Sequence, residues 1–252
     1  MIGYWILGIT GLFFIFLLIL IIKNVEIRNY LLYRLSPKRA KNITFVKLHK
    51  DNQLVYILGT IHGAHLSTRD YSLWHVEAVI NNLCPDLVMV ESRPEELEQD
   101  NWADGPLEML FSSLTAMNLG IPVYGMDWWD LDLLSVGRSN NLREDKMFEH
   151  ITRHISGRRR ILIITGFSHV PEFSMRFKNI GYSCADFPTA EKEKLFAFKG
   201  EERLYPAGMV LYLEKRIELD KKTLAEADNP KLRLALDRNI RFLIQFLQDI
   251  KA

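Results

Sequence analysis

The chain has 252 residues, of which 48% are hydrophobic and 25% charged, and its formal net charge is +1. This composition indicates a packed globular body rather than a disordered chain, and the near-neutral charge argues against a nucleic-acid partner. The two cysteines do not form a C-x-x-C pair, which argues against a cysteine-based zinc site.

The first predicted element is an uncharged apolar segment that runs from Ile2 to Ile22. A helix of this length spans roughly 30 Å, which is the thickness of a bilayer core. A cleaved signal peptide is the alternative, but a basic start, a shorter apolar run and a small-residue cleavage site are not evident. We therefore expect residues 1–23 to form a single-pass membrane anchor.

A basic juxtamembrane linker, residues 24–41, follows the anchor. The flank from Lys23 to Lys41 contains one acid, Glu26, and six basic residues, which are Lys23, Arg28, Arg34, Lys38, Arg39 and Lys41. The positive-inside rule then predicts that the body lies on the cytoplasmic side of the membrane. The same charges favour contact with anionic membrane lipid.

Strands and helices alternate between residues 42 and 203. A hairpin with its turn at Asp51-Asn52 comes first, and four predicted helices then alternate with four further strands. The helices are residues 71–83, 104–120, 144–156 and 172–181, and the strands are 87–91, 121–127, 158–166 and 182–187. This alternation predicts an α/β domain with a mostly parallel central sheet, flanking helices and the hairpin at one edge.

Two long helices, broken at Asn229-Pro230, are predicted for residues 204–252. Their apolar residues form stripes at helical spacing, which is typical of faces packed on a core. We therefore expect these helices to pack on the same domain. A homodimer or partner surface is the alternative.

Polar side chains follow the predicted parallel strands. His62 follows the first, Glu91 and Arg93 the second, Asp127 the third and His169 the fourth. Ligands of open α/β sheets bind outside the carboxyl ends of the strands, so these side chains are expected to meet. Two imidazoles and a carboxylate suit a divalent ion that activates water. We predict that His62, His169 and Glu91 bind zinc, manganese or cobalt.

The remaining strand-end groups are candidates for catalysis. Glu91 acts as general base if it does not bind the metal ion. Arg93 either pairs with Glu91 or holds a substrate carboxylate. Asp127 is a third candidate, with a helix N-cap as its alternative role. His65 is either a further nitrogen ligand or a solvent-facing side chain.

Three segments, GTIHGAHLS, VMVESRPEE and ITGFSHVPEF, resemble the signature segments of the TraB/TIKI family of proposed metal-dependent proteases. Erythromycin esterases and ChaN-like proteins are similar more distantly. The resemblance covers roughly residues 44–190 and implies two G-x-x-H motifs with an intervening glutamate. These match Gly59 to His62, Gly166 to His169, and Glu91, while Ser67 and Asp127 match further family positions.

Two departures from the family pattern concern the surroundings of the motifs. The second motif continues as His-Val-Pro where the family usually has a glycine soon after the histidine, and Trp128 follows the aspartate where arginine is frequent. The resemblance implies a metal-dependent hydrolase, above all a peptidase, acting on a peptide or small molecule, and the predicted anchor would hold this hydrolase at a membrane. A metal-free hydrolase with a histidine base, or a non-enzymatic membrane regulator that binds such a ligand, are the alternatives.

Overall fold

The computed structural model describes residues 43–66, 68–100, 103, 105–128, 140–198, 205–206 and 208–251. The predicted membrane anchor and basic linker lie outside these ranges. Among the helices that are described, none has the length and apolar character needed to cross a bilayer. One compact unit spans Lys38–Met209, and Val210–Ala252 belong to a second unit.

The α/β class is confirmed, because helices flank a sheet with the strand order β4-β3-β5-β2-β1-β6. The strands are β1 (Phe45–Lys50), β2 (Gln53–Thr60), β3 (Leu87–Val90), β4 (Val123–Gly125), β5 (Arg160–Gly166) and β6 (Ser183–Cys184). Strands β4, β3, β5 and β2 are mutually parallel, and β1 is antiparallel to both of its neighbours. The carboxyl ends of the parallel strands therefore form one edge.

The predicted hairpin exists, but its position differs from the prediction. Strand β1 pairs with β2 as expected, yet β6 pairs with the other side of β1 through Leu48 and His49. The hairpin therefore lies one strand in from the edge. A strand of two residues carries too little apolar pattern for its neighbour to be inferred from sequence.

Helices cover both faces of the sheet, which explains why β3 and β5 are continuous apolar runs. The helices of this unit are α1 (Leu73–Leu83), α2 (Pro94–Asp100), α3 (Leu107–Asn118), α4 (Asn140–His154), α5 (Val170–Asn179) and α6 (Thr189–Phe196). Residues of α1, α3 and α6 pack on one face, and residues of α4 and α5 pack on the other. Helices α2 and α6 were not predicted, and α4 begins one turn before its predicted start.

In the second unit, the break between the two predicted long helices is confirmed. Helix α7 (Gly208–Glu226) and helix α8 (Pro230–Lys251) form an antiparallel pair. Asn239 on α8 donates a hydrogen bond to the buried Asp220 on α7, and Lys251 forms a salt bridge of 2.7 Å with Glu214. Packing of this pair on the α/β domain, and the alternative homodimer surface, stay predictions.

Candidate active site

The candidate site lies at the carboxyl ends of three neighbouring parallel strands. Thr60 at the end of β2 pairs with Gly166 at the end of β5, and Val90 at the end of β3 pairs with Ile164 of β5. Each predicted ligand follows one of these strand ends. The structure thus brings Glu91, His62 and His169 to the same edge.

Glu91 is the central group of the site and is 5% exposed. Its Oε2 accepts hydrogen bonds from the Gly166 amide at 2.7 Å and the Thr165 hydroxyl at 2.8 Å. Its Oε1 accepts a hydrogen bond from Arg143 at 2.8 Å and lies 3.6 Å from His169 Nε2. Burial raises the pKa of Glu91, but His169, the Gly166 amide and Arg143 together outweigh burial and lower it.

His169 is held by a carboxylate from a different element. Its Nδ1 lies 2.9 Å from Glu144 Oε1 on α4, and both side chains are 12% exposed. The ring also stacks on Phe173 of α5, with ring centroids 5.9 Å apart. Because Nδ1 is engaged in this contact, Nε2 is the nitrogen turned toward Glu91.

His62 has the same type of support on the opposite side of Glu91. Its Nδ1 lies 2.9 Å from Glu108 Oε1 on α3, and this oxygen also accepts a hydrogen bond from the Thr60 hydroxyl at 2.8 Å. The His62 side chain is 50% exposed, whereas that of Glu108 is fully buried. The hydrogen bond to Glu108 raises the pKa of His62, although burial partly opposes this effect.

The glycine of each G-x-x-H motif packs closely against residues of the other motif, where a larger side chain would not fit. A Cβ on Gly166 would lie 3.2 Å from His62 Nε2 and 3.5 Å from Glu91 Oε2. A Cβ on Gly59 would lie 2.9 Å from the Phe167 Cα and 3.0 Å from a Val170 methyl carbon. Each glycine of the two G-x-x-H motifs is therefore required by a side chain or backbone segment of the other.

Asp127 and Arg143 form the wall of the site next to Glu91. The Arg143 guanidinium donates hydrogen bonds of 2.8 Å to both carboxylate oxygens of Asp127, and its Nη2 also reaches Glu91. Burial raises the pKa of Asp127 despite the opposing effect of Arg143, and the two carboxylates raise the pKa of Arg143 against the effect of its burial. Arg143 therefore ties Asp127 to the central glutamate.

The structure places the other candidates as follows. Arg143 bridges Glu91 and Asp127. Arg93 is half-buried, and its carbonyl accepts a backbone hydrogen bond from the Leu97 amide at the start of α2. The roles expected of Arg93, pairing with Glu91 or holding a substrate carboxylate, stay predictions. His65 is 2% exposed, and its ring nitrogens bond to Tyr71 and Ile61, so it is neither a solvent-facing side chain nor available as a ligand. Ser67 lies outside the described residues.

Sequence reasoning missed three site residues, which are Glu108, Arg143 and Glu144. Glu108 had a signal, because it is the one charged residue of α3 and lies in the first turn of that helix. Arg143 lies just before the predicted start of α4 and Glu144 begins that helix, and no local pattern marks either residue as buried. Burial of charges at these positions is costly unless they are paired, and each of the three is paired.

The donor set fits a divalent ion in its chemistry. A ligating histidine normally donates its second ring N–H to a carboxylate, as His62 and His169 do, and this arrangement leaves their Nε2 atoms for a metal. The spacing fits less well, since no three His, Cys, Asp or Glu side chains in the described ranges are grouped closely enough to hold an ion. Arg143 on Glu91 Oε1 is the group that an ion would have to displace.

Comparisons with known proteins give no match for this chain. No family model matches the chain, and no curated protein or solved structure matches it. The resemblance to the TraB/TIKI family consequently stays a prediction from the three segments GTIHGAHLS, VMVESRPEE and ITGFSHVPEF.

Proposed function

We propose that this chain is a membrane-anchored, metal-dependent hydrolase whose reaction takes place at His62, His169 and Glu91. One observation carries the proposal: each histidine binds a carboxylate through Nδ1 and presents Nε2 at the edge where Glu91 lies. A histidine that only caps a strand has no need of a buried carboxylate partner. The choice of a peptidase among hydrolases rests on the resemblance to the TraB/TIKI family.

In this proposal His62, His169 and Glu91 hold a zinc, manganese or cobalt ion. Such an ion supplies a water of lowered pKa and polarises the scissile carbonyl. Glu108 and Glu144 fix the tautomer and orientation of the two imidazoles. The Thr165 hydroxyl and Gly166 amide hold Oε2 of Glu91, so Oε1, which Arg143 contacts, is the oxygen that would be available to a metal ion.

A second candidate, a metal-free hydrolase with His62 as general base, is favoured by a specific observation. Arg143 already neutralises Glu91, and its guanidinium bridges to Asp127 as well. The half-exposed His62, paired with the buried Glu108, has the geometry of a histidine base oriented by a carboxylate. Both candidates use the same residues and differ in what occupies Glu91 Oε1.

Metal content decides between the two candidates. Full-length protein in detergent is equilibrated in turn with zinc, manganese and cobalt, dialysed, and assayed for bound metal. We expect about one ion per chain in the wild type and a strong loss of affinity in His62→Ala and His169→Ala. His49→Ala, an exposed histidine on β1, is the matched control and should bind as the wild type does.

If none of the three metals binds above background, the metal-dependent form is wrong. If, in addition, the His62→Ala and His169→Ala proteins hydrolyse peptides and esters as the wild type does, the metal-free form is wrong as well. The non-enzymatic regulator then becomes the favoured function.

Glu91→Gln separates the two roles of the glutamate. A ligand role predicts loss of both bound metal and hydrolysis, whereas a general-base role predicts retained metal and a rate lowered by about 10²–10⁴-fold. Because the change also removes the partner of Arg143, thermal stability is measured in parallel. Glu149→Gln is the control, since Glu149 is a salt-bridged glutamate on the surface of α4.

The membrane anchor and a cytoplasmic body are part of the same proposal and rest on the uncharged segment Ile2 to Ile22 and its basic flank. We expect the full chain to remain in the membrane fraction through an alkaline carbonate wash. A reporter fused after Ala252 should work only in the form active in the cytoplasm. Release by the wash, or activity of a reporter that requires export, would contradict this part.

A further inference from the structure

Strand β4 has an open edge within the part of the chain that the structure describes. It pairs with β3 on one side, where the Val88 amide donates to the Pro122 carbonyl and the Met126 amide to the Val90 carbonyl. Backbone groups of a strand alternate in direction, so the amides and carbonyls of Val123 and Gly125 point to the other side. No described residue is hydrogen-bonded to them there.

A groove with a volume of about 290 Å³ runs along this edge. Residues of α2 lie on one wall, and a pair of stacked rings, Tyr124 and His154 with centroids 4.2 Å apart, lies on the other. Val123 faces the helices of one layer and Tyr124 those of the other. The groove thus lies at the open edge of the sheet, between side chains of the two helical layers.

The open edge leads to the candidate active site. Two residues after Gly125, the Asp127 amide donates a hydrogen bond of 2.8 Å to the Ser92 carbonyl, and the Asp127 carboxylate binds Arg143. Arg143 in turn contacts Glu91. A chain that paired with β4 would therefore emerge beside the wall of the site, with β4 between it and the strand that ends at Glu91.

Charge indicates which chain fits this groove. Glu98 on α2 is an exposed carboxylate in its lining, and His154 is the basic group opposite. Burial, together with the nearby Arg153, lowers the pKa of His154 and so disfavours its charged form. The lining of the groove therefore offers the Glu98 carboxylate to a basic side chain of a ligand.

We propose that the β4 groove binds the substrate as an extended peptide, which adds a strand to the sheet and places a basic side chain near Glu98. An extended backbone matches the alternating outward donors and acceptors of Val123 and Gly125, as in peptides that add a strand to a sheet edge. The inference rests on the proposed hydrolase function and adds to it the form of the substrate and the place where it binds.

Hydrogen exchange of the protein with and without peptide tests the binding directly. The probe is an equimolar mixture of random-sequence decapeptides, added to full-length protein in detergent, with Glu91→Gln used to prevent turnover. Because no described residue accepts a hydrogen bond from the Val123 and Gly125 amides, we expect them to exchange readily in the free protein and to be slowed at least tenfold by the peptides. The Tyr124 amide is the internal control because its groups face β3.

Two pairs of variants sharpen the test in a cleavage assay. Val123→Pro removes the outward amide and leaves the ladder to β3 intact, as proline does on edge strands. We expect it to raise KM by about threefold to tenfold, the worth of one hydrogen bond, whereas Val123→Ala keeps the amide and should change KM by less than about twofold. Glu98→Gln should reduce the preference for lysine-containing over neutral peptides by about twofold, since an exposed charge contributes little.

The outcomes separate this inference from the function on which it rests. Protection of Val123 and Gly125 without cleavage by the wild type supports peptide docking and contradicts the hydrolase. Cleavage without that protection, with Val123→Pro as active as Val123→Ala, overturns the docking site and leaves the hydrolase in place. Neither protection nor cleavage overturns both.

Discussion

The two G-x-x-H motifs have the same spacing, but their backbones differ. His62 has a φ of 53°, in the left-handed region, and opens a short 3-10 turn, whereas His169 has a φ of −84° and leads directly into α5. His62 is half-exposed and His169 is largely buried. A shared motif therefore fixes where the imidazole nitrogen lies, while the support of each ring comes from separate structure.

The first motif depends on a buried aromatic pair that has no equivalent in the described part of the second. The Tyr71 hydroxyl donates a hydrogen bond of 2.7 Å to the Gly59 carbonyl, and the ring of His65 links Tyr71 to the Ile61 amide. Left-handed φ values in non-glycine residues persist only when the surroundings impose them. These contacts hold His62 in its left-handed backbone conformation. His169 has an ordinary backbone conformation, so its place at the start of α5 requires no backbone strain.

The largest effect that distinguishes the motifs is expected from His65→Ala. The change leaves a cavity and an unpaired backbone amide in the first turn, and we expect it to lower the free energy of unfolding by about 2–4 kcal/mol. Denaturant unfolding measures this loss, and His154→Ala on α4 is the control. Equal stability of the two variants would show that the first turn does not need its buried pair.

Next in size is the loss of the carboxylate behind each imidazole. Glu108→Gln and Glu144→Gln keep the shape but weaken the hold on the ring, and we expect each to lower metal affinity or hydrolysis by about 10–100-fold. Because Glu108 also binds Thr60, its loss should disturb two contacts rather than one. A larger loss in Glu144→Gln than in Glu108→Gln would contradict this ranking.

Alanine substitutions of the two motif glycines should differ in whether they lower stability or activity. Gly59→Ala presses on the backbone of Phe167, and we expect it to lower the free energy of unfolding by about 1–2 kcal/mol, in the lower range for overpacking. Gly166→Ala meets the ring of His62 and the Glu91 carboxylate, which can shift, so it should lower activity and leave stability nearly unchanged. Thermal melts and hydrolysis rates of both variants, with Gly63→Ala as a control in open space, measure the difference.

The smallest effect is the pH dependence that His62 adds to stability. The folded-state pKa of His62 is raised above its ordinary value of 6.5, so its contribution is fully present below pH 6.5. The contribution is lost as pH rises through the folded-state pKa. Unfolding measured from pH 5 to 9 should show the wild type losing its advantage over His62→Gln toward high pH. A constant difference across this range would contradict the role of Glu108.

The strand-end residues could be predicted from sequence because apolar runs and the polar residues after them are local signals. His62, Glu91 and His169 follow buried strands, and the sheet order places those strands side by side. The supporting groups could not be predicted in the same way. Glu108 is 46 residues from His62, and Arg143 is 52 residues from Glu91. Helical periodicity indicates which face is buried but not which charged residue on it meets a partner.

The position of the antiparallel β1 has a practical consequence for purification. Because β1 runs opposite to β2, its first residue, Phe45, pairs with Leu58 near the carboxyl end of β2, and the Thr44 carbonyl accepts a hydrogen bond from the Gly59 amide. Ile43, which directly precedes Thr44, therefore lies close to the edge that carries the imidazoles. A polyhistidine tag fused at this point would bring foreign metal-binding side chains to that edge, so an affinity handle for a metal assay belongs elsewhere on the chain.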